Sequence, residues 1–300
     1  MVRLFFTPSA VIKGTNIGPP MKIQNHDKSK SLTSYPWQLE QFFIRFIDLI
    51  FGTWPRSVPS EKRLRQCKIV SHRGVYDNKA IMENTLEAFE GVKRSGIWGV
   101  EIDLRWTKDL VPVVIHDKSL DRLFKTPVNV SQQTLSDIKS CFPMIPTLEE
   151  VVNQFGKDLH LMIEIKKEPY PDPVFQNRVL KHIFRGLRPK EDFHLLSLNP
   201  EMFELISFVS PKTCLPIATK NVGALSSLAL TRGYGGINGH YLLVTNAMIS
   251  RHHQKNQKAG TGFVESLNCL FRELNRGIDW VFSNDAAQLQ AQVDARLKIR

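Results

Sequence analysis

The chain has 300 residues, of which 42% are hydrophobic, so it can bury a large core and wholesale disorder is excluded. Lysine and arginine exceed aspartate and glutamate by 40 − 29 = 11, and the pI is near 9.5, which favours polyanionic partners or an anionic membrane surface. No recognised nucleic-acid-binding motif accompanies this charge, so we expect no nucleic-acid partner.

The four cysteines are far apart in the sequence and show neither CxxC nor zinc-finger spacing; they are Cys67, Cys141, Cys214 and Cys269. This pattern is typical of buried thiols in a reducing compartment, although two disulfides are an alternative that the sequence leaves open. We therefore expect a cytoplasmic protein, either free or peripheral on a membrane.

Residues 1–66 form an extension that contains one amphipathic segment. Between residues 37 and 54, apolar and mostly aromatic side chains recur at helical spacing, which predicts an amphipathic helix that is a poor bilayer span. Ten lysines and arginines against four acidic residues between Met1 and Gln66 are compatible with a helix that lies in a membrane interface, but this pattern does not outweigh a packing role. A helix that plugs the base of the fold or docks on another subunit is the alternative.

From Lys68 onward, short apolar strands alternate with helical segments. Two helix starts carry capping-box spacing, from Asn84 to Glu87 and from Thr147 to Glu150. Further helices are predicted at 173–185, 201–209, 247–257 and 269–275. The eight predicted strands lie at 68–71, from Val100 onward, and at 159–166, 193–198, 213–218, 237–244, 262–267 and 280–282. This alternation predicts an α/β fold of the (β/α)8, or TIM-barrel, type in one catalytic domain at residues 67–300.

Two carboxylates in the second predicted strand point to chemistry. Glu101 and Asp103 alternate with apolar residues, so both project from one face of a strand. Paired carboxylates repel each other and lose solvation unless a cation binds, and hard divalent cations prefer such oxygen ligands. A turn at 107–109 and a second apolar run would return His116 and Asp117 toward them. A surface strand with solvated charges is the alternative.

In a (β/α)8 barrel, functional groups lie at the C-terminal ends of the strands. Polar and charged side chains stand late in several predicted strands or directly after them, and we expect them to converge on one rim. They are His72, Arg73, Glu101, Asp103, Glu164, Asn199, Asn268 and Asp285.

Taken together in chain order, the motifs resemble the glycerophosphodiester phosphodiesterase family, which belongs to the phosphatidylinositol-phospholipase-C-like barrel phosphodiesterases. The resemblance extends from about Lys68 to about Asp285. Its motifs are His72-Arg73-Gly74, Glu83-Asn84-Thr85, Glu101-x-Asp103, Thr107-Lys108-Asp109, His116-Asp117, Pro146-Thr147-Leu148-Glu149-Glu150 and Glu164-x-Lys166.

The resemblance implies a TIM barrel that binds one divalent cation, Mg²⁺ or Ca²⁺, and a set of site residues with defined roles. Glu101, Asp103 and Glu164 would hold the cation, and His72 and His116 would form the acid–base pair. By the same resemblance, the substrate-binding residues would be Arg73, Lys166 and Glu83.

Several positions depart from the family pattern. Leu110 replaces the usual glycine of the Thr-Lys-Asp turn, and Met82 replaces the proline before Glu83. Glu265 stands in place of an aromatic residue, and residues 283–285 read Ser-Asn-Asp where Thr-Asp is typical. The catalytic motifs are intact while the later strands have drifted, so the resemblance specifies the reaction class better than the substrate.

Three functional hypotheses follow. The first is a metal-dependent hydrolase that converts glycerophosphodiesters to sn-glycerol 3-phosphate and an alcohol. The second is a lysophospholipase D-like enzyme that acts on membrane lysophospholipids, which the aromatic helix and the positive charge favour. The third is a barrel that binds phosphorylated ligands or a membrane without turnover; retention of the costly carboxylates and histidines argues against it.

Overall fold

The structure is a computed structural model that describes residue 50 and residues 52–298. The predicted amphipathic helix at 37–54 therefore lies almost entirely outside the described residues, and the prediction stands untested there. Within the described part of the chain, no helix is both long enough and apolar enough to cross a membrane.

Eight parallel strands close into a barrel, because the first strand pairs with both the second and the last. These are β1 (Ile69–His72), β2 (Gly99–Trp106), β4 (His160–Ile165), β5 (Phe193–Ser197), β6 (Cys214–Ala218), β7 (Gly236–His240), β8 (Lys258–Gly262) and β9 (Trp280–Ser283). A short strand, β3 (Pro112–Val114), pairs antiparallel with β2. The closed parallel barrel confirms the predicted (β/α)8 fold.

Helices cover the outside of the barrel. They are α1 (Glu61–Arg65), α2 (Leu86–Arg94), α3 (Asp121–Phe124), α4 (Leu135–Cys141), α5 (Leu148–Phe155), α6 (Pro173–Ile183), α7 (Val222–Arg232), α8 (Asn246–Gln254), α9 (Leu267–Arg276) and α10 (Ala286–Lys298). The main hydrophobic core lies between these helices and the outer faces of the strands, while a smaller cluster that includes Val70, Met162 and Leu196 fills the barrel interior.

Several predicted element boundaries are wrong. The capping box at Thr147 and Glu150 is present, but the N-cap of α2 is Thr85 and not Asn84. Asn84 has a left-handed backbone with φ 59° and directs its side chain into the barrel. The segment predicted as a helix at 201–209 is a 3₁₀ helix at Pro200–Leu205, which ends before the predicted helix would.

The seventh barrel strand was predicted at 262–267, yet β8 spans Lys258–Gly262. Its sequence, Lys-Ala-Gly-Thr-Gly, has Thr261 as its single β-branched residue and two glycines, so it carries little strand signal. A Cβ atom on Gly260 would lie 2.1 Å from Nε1 of Trp280 and 2.2 Å from Oδ1 of Asn238. Glycine is therefore required by this close approach, and the requirement hides the strand from sequence patterns.

Two histidines and two tryptophans form a cluster at the N-terminal end of the barrel, away from the strand ends that carry the site. The ring of Trp98 stacks on His160 at 4.3 Å between centroids, and His194 contacts Trp280 at 5.4 Å. Nε2 of His160 lies 2.8 Å from Nδ1 of His194. Burial lowers the pKa of His160 to about 4 and that of His194 to about 3, so both rings are neutral at pH 7.

The described end of the extension packs against α9. The side-chain amide of Asn268 donates to the carbonyl of Gly52 at 2.7 Å, and that of Asn275 donates to the carbonyl of Ser57 at 2.7 Å. Arg63 donates in turn to the carbonyl of Asn275 at 3.1 Å. Residues 52–65 are thus held on the barrel by hydrogen bonds that span more than 200 positions in sequence.

Candidate active site

Strand register brings the predicted groups together at one end of the barrel. His72 lies opposite Glu101 in the pairing of β1 with β2, and Asp103 lies opposite Glu164 in the pairing of β2 with β4. The intervening residues of β2 point outward, and Val100, Ile102 and Leu104 are part of the core beneath the helices. The two-residue period of the strand therefore directs both carboxylates into the barrel, as the sequence predicted.

Glu101, Asp103 and Glu164 form a buried cluster, and each offers a carboxylate oxygen within 4.8 Å of the others. Among the described residues, neither oxygen of Glu101 has a hydrogen-bond partner, although the side chain is buried. Burial, reinforced by the neighbouring Asp103 and Glu164, raises the pKa of Glu101 well above its usual range. A buried acid without a partner is costly, which makes this cluster a fitting site for a cation.

Asp103 is the best-paired of the three acids. Nζ of Lys166 lies 2.6 Å from its Oδ1, and Nε of Arg73 lies 3.3 Å from its Oδ2. The side-chain amide of Asn84 donates to Oδ2 at 2.7 Å. Burial alone would raise the pKa of Asp103, but Lys166 and Arg73 outweigh burial and lower it. Lys166 also contacts Oε1 of Glu164 at 2.9 Å.

The loops that carry Arg73 and Asn84 are strained and joined to each other. Both residues adopt left-handed backbone conformations, with φ of 62° and 59° respectively. The backbone N–H of Asn84 donates to the carbonyl of Arg73 at 2.9 Å. Backbone strain of this kind costs about 1–3 kcal/mol per residue and persists where the surrounding contacts hold the geometry, which is common at functional sites.

His72 is half-buried at the barrel mouth, with its side chain 35% exposed. Its Nδ1 atom lies 2.8 Å from Oδ1 of Asn284, and its Nε2 atom lies 3.8 Å from Oε2 of Glu101. Burial, followed by the charge of Arg73, lowers the pKa of His72 below its ordinary value. A neutral ring with one nitrogen facing the carboxylates can accept a proton there.

The β2–β3 hairpin delivers His116 to the same end of the barrel. Leu110 occupies a left-handed turn position with φ 57°, where a glycine would be unstrained, and the N–H of Ile115 donates to the carbonyl of Asp103 at 2.9 Å. Nδ1 of His116 lies 2.7 Å from Oδ1 of Asp117. Burial lowers the pKa of His116, and the charges of Asp103, Lys166 and Arg73 all act on it.

Arg122 is a component of the site that the sequence reasoning missed. From α3 it ion-pairs with Asp117 through Nε and with Glu83 through Nη2 at 2.5 Å. Glu83 also accepts from Arg73 at 3.0 Å and from Asn78 at 2.8 Å. Glu83 thus accepts from the guanidinium groups of both Arg73 and Arg122 and links the segments that carry them. No spacing signal in the sequence pointed to Arg122.

The three other rim residues named from the sequence are used differently. Asn268 holds Gly52, and the backbone N–H groups of Asn199 and Asp285 bond serine side chains in their own turns. The structure instead places Asn284, which the sequence reasoning passed over as a departure, against His72. Three exposed apolar residues follow later strands at the same end of the barrel; they are Leu198, Leu243 and Phe263.

A sequence profile of the glycerophosphoryl diester phosphodiesterase family matches residues 72–257. A glycerophosphodiester phosphodiesterase of Caldanaerobacter subterraneus subsp. tengcongensis is 35% identical over 127 residues, which is 38% of this chain and 51% of that protein. One from Bacillus altitudinis is 28% identical over 235 residues, or 72% of this chain and 94% of that protein. The chain thus spans about half the length of the first relative and nearly all of the second.

Solved structures show the same fold. A glycerophosphodiester phosphodiesterase from Agrobacterium tumefaciens has a TM-score of 0.63 and 21% identity, covering 75% of this chain and 99% of that chain. An Oleispira antarctica phosphodiesterase, solved in complex with the product sn-glycerol-3-phosphate, has a TM-score of 0.59 and 21% identity, covering 76% of this chain and 96% of that chain.

Proposed function

Because this chain belongs to the glycerophosphoryl diester phosphodiesterase family, we propose that it is a phosphoric diester hydrolase that cleaves glycerophosphodiesters to sn-glycerol 3-phosphate and an alcohol. The observation that carries the proposal is the buried carboxylate cluster, flanked by two histidines at one barrel mouth, in which Glu101 has no hydrogen-bond partner from residues 52–298. The product named for the Oleispira antarctica phosphodiesterase supports the substrate class.

The carboxylate cluster fits one divalent cation. Glu101, Asp103 and Glu164 supply the hard oxygen ligands that Mg²⁺ and Ca²⁺ prefer. The two oxygens of Glu101, which accept no hydrogen bond from the part of the chain that the structure describes, have a desolvation cost that a cation would relieve. When bound, the cation would act as a Lewis acid on the phosphoryl oxygens. We propose these three residues as its ligands.

Arg73 and Lys166 bind the phosphate in this proposal. Both are largely buried and already lie beside the carboxylates, so their positive charges are fixed before the substrate arrives. A phosphodiester carries one negative charge, and more charge builds on its oxygens during displacement. Preorganised cations in a partly buried site stabilise that charge more strongly than solvated ones would.

His72 and His116 form the proposed acid–base pair. Each ring has its Nδ1 atom engaged, by Asn284 and by Asp117 respectively, which leaves both Nε2 atoms for the substrate. One histidine would take the proton from the attacking hydroxyl, of the neighbouring glycerol or of water, while the other protonates the leaving alkoxide. Asp117 would stabilise the imidazolium form of His116 in that cycle.

A second candidate activity, of the lysophospholipase D type, is favoured by one observation. Leu198, Leu243 and Phe263 are 42%, 39% and 54% exposed at the end of the barrel that carries the site. Their position suits a substrate whose apolar chain leaves the mouth, such as a lysophospholipid. The retained carboxylates and histidines argue against the third hypothesis, a barrel without turnover.

We further propose that the enzyme works in the cytoplasm, either free or peripheral on an anionic membrane. The four cysteines support a reducing compartment, since all four are free thiols in the described part of the chain. The net charge of +11 supports attraction to anionic lipid.

The test is a side-by-side assay of glycerophosphocholine, glycerophosphoethanolamine and lysophosphatidylcholine, with Mg²⁺ or Ca²⁺ and with excess EDTA. We expect glycerol 3-phosphate from the first two substrates with a metal present and no turnover in EDTA. His72→Ala and His116→Ala should each lower the rate on the order of 10²–10⁴-fold. Full activity in EDTA, or near wild-type rates in both variants, would refute the proposed mechanism.

A further inference from the structure

Two exposed residues that follow the last two barrel strands form a series of hydrogen bonds that ends on His72. Asn284 directly follows β9, the neighbour of β1 in the barrel, and Glu265 lies between β8 and α9. The side-chain amide N–H of Asn284 donates to Oε1 of Glu265 at 2.9 Å. On its other side, Oδ1 of Asn284 lies 2.8 Å from Nδ1 of His72.

The chemistry of the three groups allows one arrangement of protons. A carboxylate only accepts hydrogen bonds, so the amide nitrogen of Asn284 must face Glu265. Its carbonyl oxygen must then face His72, and that oxygen can only accept. Nδ1 of His72 therefore carries the proton, and Nε2 of the neutral ring carries the lone pair.

We infer that Glu265 and Asn284 are positioning residues that hold neutral His72 as its Nδ1–H tautomer. A free imidazole side chain in water prefers the proton on Nε2, so the hydrogen bonds through Asn284 reverse the intrinsic preference. The result places a proton acceptor on the side of the ring that faces Glu101 at 3.8 Å, where the site lies. The catalytic consequence rests on the proposed function; the tautomer itself does not.

Glu265 occupies a position that departs from the family pattern. Glu265 stands where an aromatic residue is usual, and a phenyl or indole ring at that place has no acceptor atom that could orient the amide in this way. Orientation by Glu265 is thus a property of this chain rather than of the motif set.

The experiment reverses the orientation of the hydrogen bonds from Glu265 through Asn284 to His72 and then restores it. In Glu265→Lys the new side chain only donates, so the Asn284 amide should rotate and present its nitrogen to His72, which favours the Nε2–H tautomer. In the double variant Glu265→Lys/Asn284→Asp, the aspartate accepts from both neighbours and the Nδ1–H tautomer should return. Glu201→Lys is the matched control, because Glu201 is an exposed carboxylate after β5 at the same end of the barrel and pairs with Lys167.

Two readouts are compared in the full-length protein. Ring ¹⁵N shifts at pH 8, with His72 assigned from the spectrum of His72→Ala, report which nitrogen is protonated. Steady-state kinetics on glycerophosphocholine with Mg²⁺ report kcat and KM separately. We expect Glu265→Lys to switch the tautomer and lower kcat on the order of 10-fold with KM unchanged, less than removal of the histidine costs. The double variant should recover both, and the control should change neither.

Persistence of the Nδ1–H tautomer in Glu265→Lys, or failure of Asn284→Asp to restore it, would overturn the inference. A tautomer that switches and recovers as expected while kcat stays constant would support the inference and refute the catalytic role proposed for His72. The two failures are therefore distinguishable.

Discussion

Nζ of Lys166 lies 2.6 Å from Oδ1 of Asp103, and this short ion pair sets the charge balance of the site. Three carboxylates and two cations, Lys166 and Arg73, meet there, so the cluster carries −3 + 2 = −1 when all are ionised. Because both cations contact Asp103, the uncompensated negative charge lies on Glu101, whose oxygens have no hydrogen-bond partner within the described residues. A divalent cation would be drawn to Glu101 first.

We therefore predict that Mg²⁺ or Ca²⁺ stabilises the wild-type protein and that Glu101→Gln removes this effect. The glutamine is nearly isosteric and uncharged, so the metal-free fold should be at least as stable as in the wild type. Turnover should be lost because a charged ligand is missing. Thermal unfolding with and without metal, beside an activity assay, checks both. Glu149→Gln, on the exposed start of α5, is the control; equal metal stabilisation in both variants would contradict the prediction.

Arg122→Met should impair catalysis without unfolding the barrel. Arg122 pairs with Asp117, which holds His116, and with Glu83, which holds Arg73, so its removal loosens both proposed functional groups. Its side chain is 45% exposed, so we expect a modest loss of about 1.4 kcal/mol in transition-state stabilisation, or about tenfold in kcat/KM.

The matched control for Arg122 is Arg232→Met. Arg232 is also a half-exposed arginine in an ion pair, with Glu204 at 3.5 Å, and it lies at the end of α7. Circular dichroism should show both variants folded. If they lose the same activity, or if Arg122→Met loses none, Arg122 does not organise the site.

The sequence predicted the barrel and most of its charged rim because both arise from local periodicity. The alternation in β2 was enough to place Glu101 and Asp103 together, and parallel strands then bring Glu164 to them. The hairpin that returns His116 was likewise readable from the turn after Thr107.

Contacts between distant segments were not readable. Arg122 meets Glu83 across 39 positions and Asn284 meets His72 across 212, and no local pattern encodes either distance. The strand β8 was misplaced because Gly260 is selected by a tertiary clash and not by strand propensity. Asn84 was assigned to a helix cap by its spacing, although its amide is used at Asp103.

We predict that the buried pair of His160 and His194, at the N-terminal end of the barrel, makes the protein less stable in mild acid. The pKa of His160 is lowered to about 4 and that of His194 to about 3, against about 6.5 when unfolded. The unfolded chain thus binds more protons below pH 6.5, and stability is lost as the pH falls from there toward 4. Between pH 6.5 and 5, each histidine should contribute a loss of about 1–2 kcal/mol.

Urea unfolding at pH 7.5 and pH 5 tests this difference. In His194→Asn, the side-chain amide can replace Nδ1–H of His194 as the donor to Nε2 of His160, but it does not titrate. The stability of this variant should therefore fall less between the two pH values than that of the wild type. The exposed His182→Asn is the control and should follow the wild type. An unchanged pH difference in His194→Asn would show that the cluster does not titrate as we expect.

Phe263→Gly should distinguish the contribution of Phe263 to folding stability from its contribution to substrate turnover. Phe263 holds a left-handed backbone with φ 64°, which glycine adopts freely, so the substitution should relieve strain of about 1–2 kcal/mol. The lost contact with His240, whose ring stacks on it at 5.1 Å, partly offsets that gain. If the rim receives an acyl chain, turnover of lysophosphatidylcholine should fall while that of glycerophosphocholine stays constant. Equal effects on both substrates would argue against the lysophospholipase D activity.

Removal of residues 1–49 should abolish binding to anionic vesicles while leaving turnover of glycerophosphocholine intact. The predicted amphipathic helix at 37–54 has a wide apolar face in a basic segment, and each suitably placed lysine or arginine is worth about 1 kcal/mol at an anionic surface. Residues 52–65 must be kept, because Gly52 and Ser57 are held by α9. A truncation at residue 60 would cut these contacts and is the control for damage to the fold.

Sedimentation with liposomes distinguishes the possible partners of this helix. The intact chain should bind phosphatidylserine-containing vesicles, release from them in high salt, and ignore purely zwitterionic ones, because screening weakens attraction between the basic segment and the surface. If the intact protein ignores both kinds of vesicle and the chain lacking residues 1–49 aggregates, the apolar face is covered by protein. The helix would then belong to the fold or to a subunit contact, and the membrane-bound enzyme that we propose would be wrong.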